Sequence, residues 1–298
     1  MDKTRIFALI GVFLVQVIYG FTFTFANDVI DEGFIRPFGF IFLRVLGAAI
    51  LFWVLSLFTP KQKIARKDFL ILFFASIFGI ALNMLTFFKG LEYTTPIHAS
   101  VIMTVVPIVV LVLSAFFLKE RITGLKIVGI LLGFLGAIVL SVYGKSAQAG
   151  DNILLGNLLV FINAVSYSIY LIIIKKLTQK YYPLAFIKWL FLFGLILVFP
   201  FGYGEFSQVV WSSFTPYILF SVLFVVIGAT FFTYLLNPIA LRHLKASTVS
   251  TFLYIQPVIA SIFALLIGSD TMNIVKVIAA TLIFTGVYLV TKRPKLSR

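Results

Sequence analysis

The sequence predicts an all-α, polytopic membrane protein of ten transmembrane helices built as two inverted five-helix repeats. Three observations carry that expectation. The composition is too apolar for a soluble core, ten apolar runs have membrane length, and one pattern recurs after 150 residues.

Of 298 residues, 61% are hydrophobic and only 11% are charged, against about 25% charged in ordinary soluble domains. Phe alone occurs 35 times. The bilayer must therefore solvate that surface, and helices must satisfy the backbone within it. The formal charge of +14 reflects topology rather than nucleic-acid binding, because the basic residues cluster between apolar runs. No nucleic-acid partner is expected. Cysteine is absent, which excludes disulfides and thiolate chemistry, and His98 and His243 are too few for a histidine-rich metal site. No cofactor is expected either. The stretch "MDKTRIFALIGVFLVQVIYGFTFTFAN" exceeds a signal-peptide core and is followed by no small-x-small cleavage motif, so it reads as a retained first helix.

A bilayer core about 30 Å thick needs about 20 helical residues. Ten such runs are present: 6–26, 37–58, 69–88, 96–117, 124–143, 154–174, 183–203, 215–236, 246–267 and 272–291. Their connections are short. No phosphate-binding GxxxxGK signature occurs, which argues against ATP-driven pumping within this chain.

Alternate connections differ sharply in Lys and Arg. One side collects Lys3, Arg5, Lys61, Lys63, Arg66, Lys67, Lys119, Arg121, Lys126, Lys175, Lys176 and Lys180, then Arg242, Lys245, Lys292, Arg293, Lys295 and Arg298. The other holds Arg36, Lys89 and Lys145 among several acids, including Asp151 and Asp270. The positive-inside rule then puts both termini in the cytoplasm. The expected location is a bacterial cytoplasmic (inner) membrane.

Shifting the chain by 150 aligns residues 90–141 with 240–291 without a gap. Pro107 meets Pro257, Ser100 meets Ser250, Lys126 meets Lys276, Phe134 meets Phe284 and Gly136 meets Gly286. Upstream, "PFGFIF" pairs with "PLAFIK" at a slightly shorter shift. The repeats are expected to span 1–148 and 149–298. Because each holds an odd number of spans, the second must enter the membrane inverted, which is the geometry of alternating access.

Two five-span repeats, "FLRVLGAA" in the second span, and the junction from Pro107 through "FLKERIT" to "GILLGFLGAIVL" resemble the EamA-type branch of the drug/metabolite transporter superfamily. The second copy departs from that pattern, with "LIGSDTMN" replacing "FFLKERIT" and Asp270 at the position of Glu120. The resemblance implies export of amino acids and related metabolites. It also implies a cavity lined by the first, third and fourth spans of each repeat, with the fifth spans peripheral.

Polar residues inside spans are the candidate substrate contacts. They are Gln16 and Tyr19 in the first span, Asn83 in the third, His98 and Thr104 in the fourth, and Tyr167 and Tyr170 in the sixth. Tyr234 in the eighth and Tyr254 and Gln256 in the ninth complete the set. Pro107 and Pro257 each free a backbone carbonyl one turn earlier, so each marks either a bend lining the cavity or a static packing kink. At a constant helical turn, Ser100, Thr104, Pro107 and Ser114 share one face, as do Ser250, Tyr254, Pro257 and Ser261. His98 and Gln256 lie on a different face, so one of the two faces must be structural. Tyr254 fits a cavity wall better than a packing seam.

Arg44 lies deep enough in its span to need a partner, either a substrate carboxylate or backbone carbonyls. Glu120 and Arg121 read as turn structure, with Thr123 capping the fifth helix. The expected function is non-ATP secondary transport of a small organic metabolite, an amino acid or derivative, exported by alternating access. The alternatives are an intramembrane enzyme or a channel-like facilitator. No Asp or Glu falls inside a span, which weighs against an enzyme. For possible proton coupling, His98 is the one candidate that titrates near neutral pH.

Overall fold

The computed structural model describes residues 3–143, 152–266 and 273–292. Lys145, Asp151, Asp270, Arg293, Lys295 and Arg298, used in the charge and repeat arguments, lie outside the described residues.

Ten helices of membrane length are present among the described residues. The first three are α1 (Lys3–Asp31), α2 (Pro37–Leu57) and α3 (Arg66–Tyr93). Next, α4 is built from Pro96–Met103 and Val106–Leu118, and is followed by α5 (Gly124–Val142) and α6 (Ile153–Lys180). Then come α7 (Pro183–Phe206) and α8 (Pro216–His243). Last are α9, in the pieces Ala246–Thr251, Phe252–Ile255 and Gln256–Leu266, and α10 (Ile274–Thr291).

Local chemistry sets the helix starts. Thr95, Thr123, Asn152, Thr215 and Asn273 each accept from the amide three residues on, satisfying an otherwise orphaned donor. Pro37, Pro96, Pro183 and Pro216 occupy first-turn positions, where no intrahelical donor is lost.

Four helices are irregular, in matching places. The π-helical segment Ile77–Ala81 interrupts α3, and Phe224–Phe232 interrupts α8. A shift of 150 carries the first inside the second. Likewise α4 tightens at Thr104 and Val105, whose amides bond Val101 and Ile102 at three-residue spacing, and α9 is a 3-10 helix over Phe252–Ile255. Both tight turns come just before the prolines, Pro107 and Pro257, where the missing amide removes an α-helical bond.

Packing between helices follows the same correspondence. The pairs α2–α7, α4–α9 and α5–α10 are in contact, and so are α1–α8 with α3–α6, and α1–α9 with α4–α6. Under exchange of each helix with the one five places later, that set maps onto itself. In α5–α10 the backbones nearly touch. A Cβ on Gly129 would lie 2.7 Å from the Gly286 carbonyl oxygen, and one on Gly136 would lie 2.6 Å from that of Ala279. Those two contacts interchange under the same shift. As α5 advances from 129 to 136, its partners fall from 286 to 279, so the two helices run antiparallel.

The α4–α5 and α8–α9 connections meet at one end of the bundle, the basic end. Lys119 adopts a left-handed conformation (φ 54°) and the Glu120 amide bonds back to the Ser114 carbonyl at 3.1 Å, closing α4. That turn aims Glu120 across at the start of α9. Its carboxylate accepts from the Ala246 amide at 2.8 Å, the Ser247 hydroxyl at 2.6 Å and the Lys126 ammonium at 3.1 Å. Lys126 also donates to Ser247 at 2.8 Å. Nearby, Lys175 donates to the carbonyls of Leu241 (2.6 Å) and Leu244 (2.9 Å) as α8 ends. A negative group thus closes the N-terminus of one helix and a positive group the C-terminus of its neighbour, as the helix dipoles favour. Glu120 is therefore a clasp between the two halves of the chain as well as a turn residue.

Candidate functional site

A cavity of about 180 Å³ lies within the bundle, on the side away from the Glu120 clasp. Its wall is drawn from α1, α2, α3, α4, α6, α8 and α9, and none of its described lining residues belongs to α5, α7 or α10. One part is polar and aromatic: Tyr19, Thr22, Arg44, Asn83, Asn163, Tyr167, Tyr234 and Gln256. The other is apolar: Met84, Phe87, Phe88, Leu91, Met103 and Leu253 among others. Among the described residues, no acid lines it.

The π segment of α3 shapes one wall, because its displaced carbonyls need donors from neighbouring helices. Ser166 donates to the Phe78 carbonyl at 2.7 Å, Tyr234 to that of Gly79 at 2.6 Å, and Asn163 to that of Asn83 at 2.6 Å. The corresponding segment of α8 holds the arginine. Thr230 donates to the Val225 carbonyl at 2.9 Å and accepts from the Nε of Arg44 at 3.0 Å.

The structure brings five candidate contacts together at the wall: Tyr19, Asn83, Tyr167, Tyr234 and Gln256. Gln16 lies one step behind, accepting from the Gln256 amide at 2.7 Å and so tying α1 to α9. Tyr170 is buried beside the π segment, against Gly79, with its ring 5.9 Å from that of Tyr234. The remaining three stand apart. The Thr104 hydroxyl donates to the Val101 carbonyl at 2.6 Å. His98 sits in the first turn of α4, its ring nitrogen 3.2 Å from the Thr95 hydroxyl that caps the helix. Tyr254 packs onto Gly133 of α5, where only a hydrogen leaves room for the ring.

The position of Tyr254 differs from the cavity wall expected for it. Two residues apart on a helix, Tyr254 and Gln256 lie on opposite faces. The face of α9 that reaches the cavity is that of Leu253 and Gln256, and the face of Tyr254 packs on α5. The apolar wall on α3 is not among the sequence expectations, although Asn83, Phe87 and Leu91 repeat at helical spacing and carry the signal for it.

Tyr254 and Gln256 therefore separate packing from binding. The Tyr254 hydroxyl is buried without a hydrogen-bond partner among the described residues, so Tyr254→Phe should leave transport unchanged and raise the thermal midpoint slightly, by removing an unsatisfied group. Gln256→Ala should raise the half-saturation concentration about tenfold, the loss of one hydrogen bond in a dry site. Transport assays with midpoints measured on the same preparations check both. A reversed pattern would place the cargo against α5.

Comparison with known proteins agrees with this architecture. The family model for "EamA-like transporter family" matches twice, over residues 6–142 and 154–292. The chain belongs to the EamA-like transporter family. An uncharacterized transporter of Archaeoglobus fulgidus is 30% identical over 260 residues, covering 87% of this chain and 90% of its own. The uncharacterized transporter YoaV of Bacillus subtilis is 28% identical, covering 95% and 96%. A solved structure described only as a crystal structure of a protein superposes with a TM-score of 0.80 over 95% of the chain at 17% identity, a likeness of fold alone. This EamA protein is a multi-pass membrane transporter and not an enzyme.

Proposed function

We propose that this EamA protein is a secondary transporter exporting a small organic metabolite, an amino acid or derivative, by alternating access. The observation that carries the reading is a polar and aromatic cavity, four of whose seven bounding helices are interrupted at matching positions. Irregular backbone at membrane depth is tolerated where it lines a cavity, and such segments are natural hinges. The self-mapping set of helix contacts and the antiparallel α5–α10 pair support two inverted repeats, 1–148 and 149–298, related by an axis in the membrane plane. Exchanging the conformations of the halves would then move the opening from one face to the other.

The charge bias supports cytoplasmic termini in a bacterial cytoplasmic membrane, with the clasp facing the cytoplasm. On that reading the cavity, which lies on the side away from the clasp, faces outward. Among the described residues no acid lines the cavity and His98 stands outside it, which favours exchange or facilitated diffusion over proton antiport.

Purified protein in liposomes should take up amino-acid derivatives with saturation and show counterflow of labelled against unlabelled cargo. Flux that stays linear with concentration and shows no counterflow would favour a channel-like facilitator instead. In intact cells, a cysteine placed at Lys63 should resist an impermeant thiol reagent. Its labelling would reverse the orientation.

A further inference from the structure

We infer that the cargo of this cavity is a monocarboxylate without a free ammonium group, an N-blocked amino acid or a comparable organic acid, held through its carboxylate by Arg44. The inference rests on the transporter reading above and narrows its substrate class.

Arg44 is 8% exposed, seven residues into α2, and lines the cavity. The three salt bridges among the described residues lie elsewhere, at Lys89–Glu92, Lys126–Glu120 and Lys180–Asp68. The bond from Nε to Thr230 fixes the plane of the guanidinium while Thr230 stays anchored to its own helix. The two Nη groups, which have no described carboxylate to pair with, form a fork suited to a carboxylate. A buried cation is costly at membrane depth without a counter-ion, and none is present among the described residues, so an arriving anion gains that pairing. At the upstream repeat shift the matching position in the second half is Leu190, which is fully buried and apolar. The charge is thus present in one half only.

The rest of the described wall selects against a second charge on the cargo. Among the described lining residues no carboxylate faces the cavity to hold an ammonium, whereas Gln256 and Asn83 offer groups that match an amide. Phe87, Phe88 and Leu91 provide an apolar berth for a side chain.

The test uses leucine, methionine and phenylalanine, each as the N-acetyl acid, the free amino acid and the N-acetyl amide. These forms share a side chain and differ in charge. The readout is the thermal shift of the full-length protein in nanodiscs, titrated to obtain affinities. At least one N-acetyl acid should bind ten-fold or more tightly than its amide and its free amino acid. Arg44→Lys should retain that preference in weakened form, and Arg44→Gln should erase it. Equal binding of the three forms, tighter binding of the zwitterion, failure of every acid to bind at 10 mM, or an acid preference that survives in Arg44→Gln would each overturn the inference. The wild-type series stands even if a variant fails to fold. An Arg44-dependent acid preference without saturable liposome flux would sink the transporter reading and leave the anion site. Saturable flux of zwitterions independent of Arg44 would do the reverse.

Discussion

Replacing Gly286 with leucine is expected to abolish recovery of folded protein. In a bilayer, lipid competes with protein for apolar contact, so helix association depends on close backbone approach through small residues. Gly286 and Gly129 each face the other's carbonyl at a distance that excludes a side chain. A leucine at 286 has backbone in front of it rather than a flexible side-chain tip, so α5 and α10 must separate. Overpacking ordinarily costs about 1–3 kcal/mol, where neighbours can shift. Here the whole α5–α10 seam opens, and Gly136 against Ala279 opens with it. Gly11, where an added Cβ would meet nothing within 4 Å, is the control, and Gly11→Leu should be tolerated. The measurement is the monodisperse fraction after size-exclusion in detergent. A monodisperse Gly286→Leu protein with the wild-type midpoint would show that the two helices are not in contact.

Glu120→Ala is expected to lower the thermal midpoint by roughly 10 °C, from a loss of about 3–5 kcal/mol when one partner of a buried ion pair is removed. The side chains of Glu120 and Lys126 are 7% and 8% exposed, so the ammonium left behind has little water to turn to. The Ala246 amide loses its acceptor as well, and α9 loses the anion at its N-terminus. Glu120→Gln, which keeps an acceptor for that amide, should cost less. The double variant Glu120→Ala/Lys126→Met should recover much of the loss, because no charge is then stranded. Denaturation of the four proteins in one lipid composition measures this cycle. Equal midpoints for wild type and Glu120→Ala would mean that water, and not Lys126 and the α9 amides, satisfies the carboxylate.

Much of this architecture is legible in the residues alone. The ten spans follow from run length, and the Thr123 cap from the chemistry of its hydroxyl. The recurrence of Pro107 at Pro257 points to the interrupted helices. Other features depend on distances that a periodic pattern does not contain. Nothing in "IFGIA" or "FVVIGATFF" announces a π segment: the carbonyls of the first are met by donors on α6 and α8 far along the chain, and Thr230, which meets the Val225 carbonyl in the second, is held by Arg44 of α2. Glu120 reads as turn structure alone because its partners, Ala246 and Ser247, lie more than a hundred residues away. Which face of α9 lines the cavity depends on its neighbours: Tyr254 packs against Gly133 of α5, and Gln256 on the opposite face reaches the cavity. The depth of Arg44 is legible, but its tether to Thr230 is not.

Arg44, the one cation among the described residues of the cavity wall, has a consequence for energetics. If an anion neutralises Arg44, the loaded carrier crosses between its two states with no net charge at the site, whereas the empty carrier returns bearing one. Voltage then acts on the return step. An interior-negative potential pulls the unoccupied positive site toward the cytoplasm, ready for the next cargo, with up to about 2.3 kcal/mol per 100 mV available for a charge that traverses the full field. Export by such a cycle is electrogenic and draws on the membrane potential directly, without a proton or sodium ion as co-passenger.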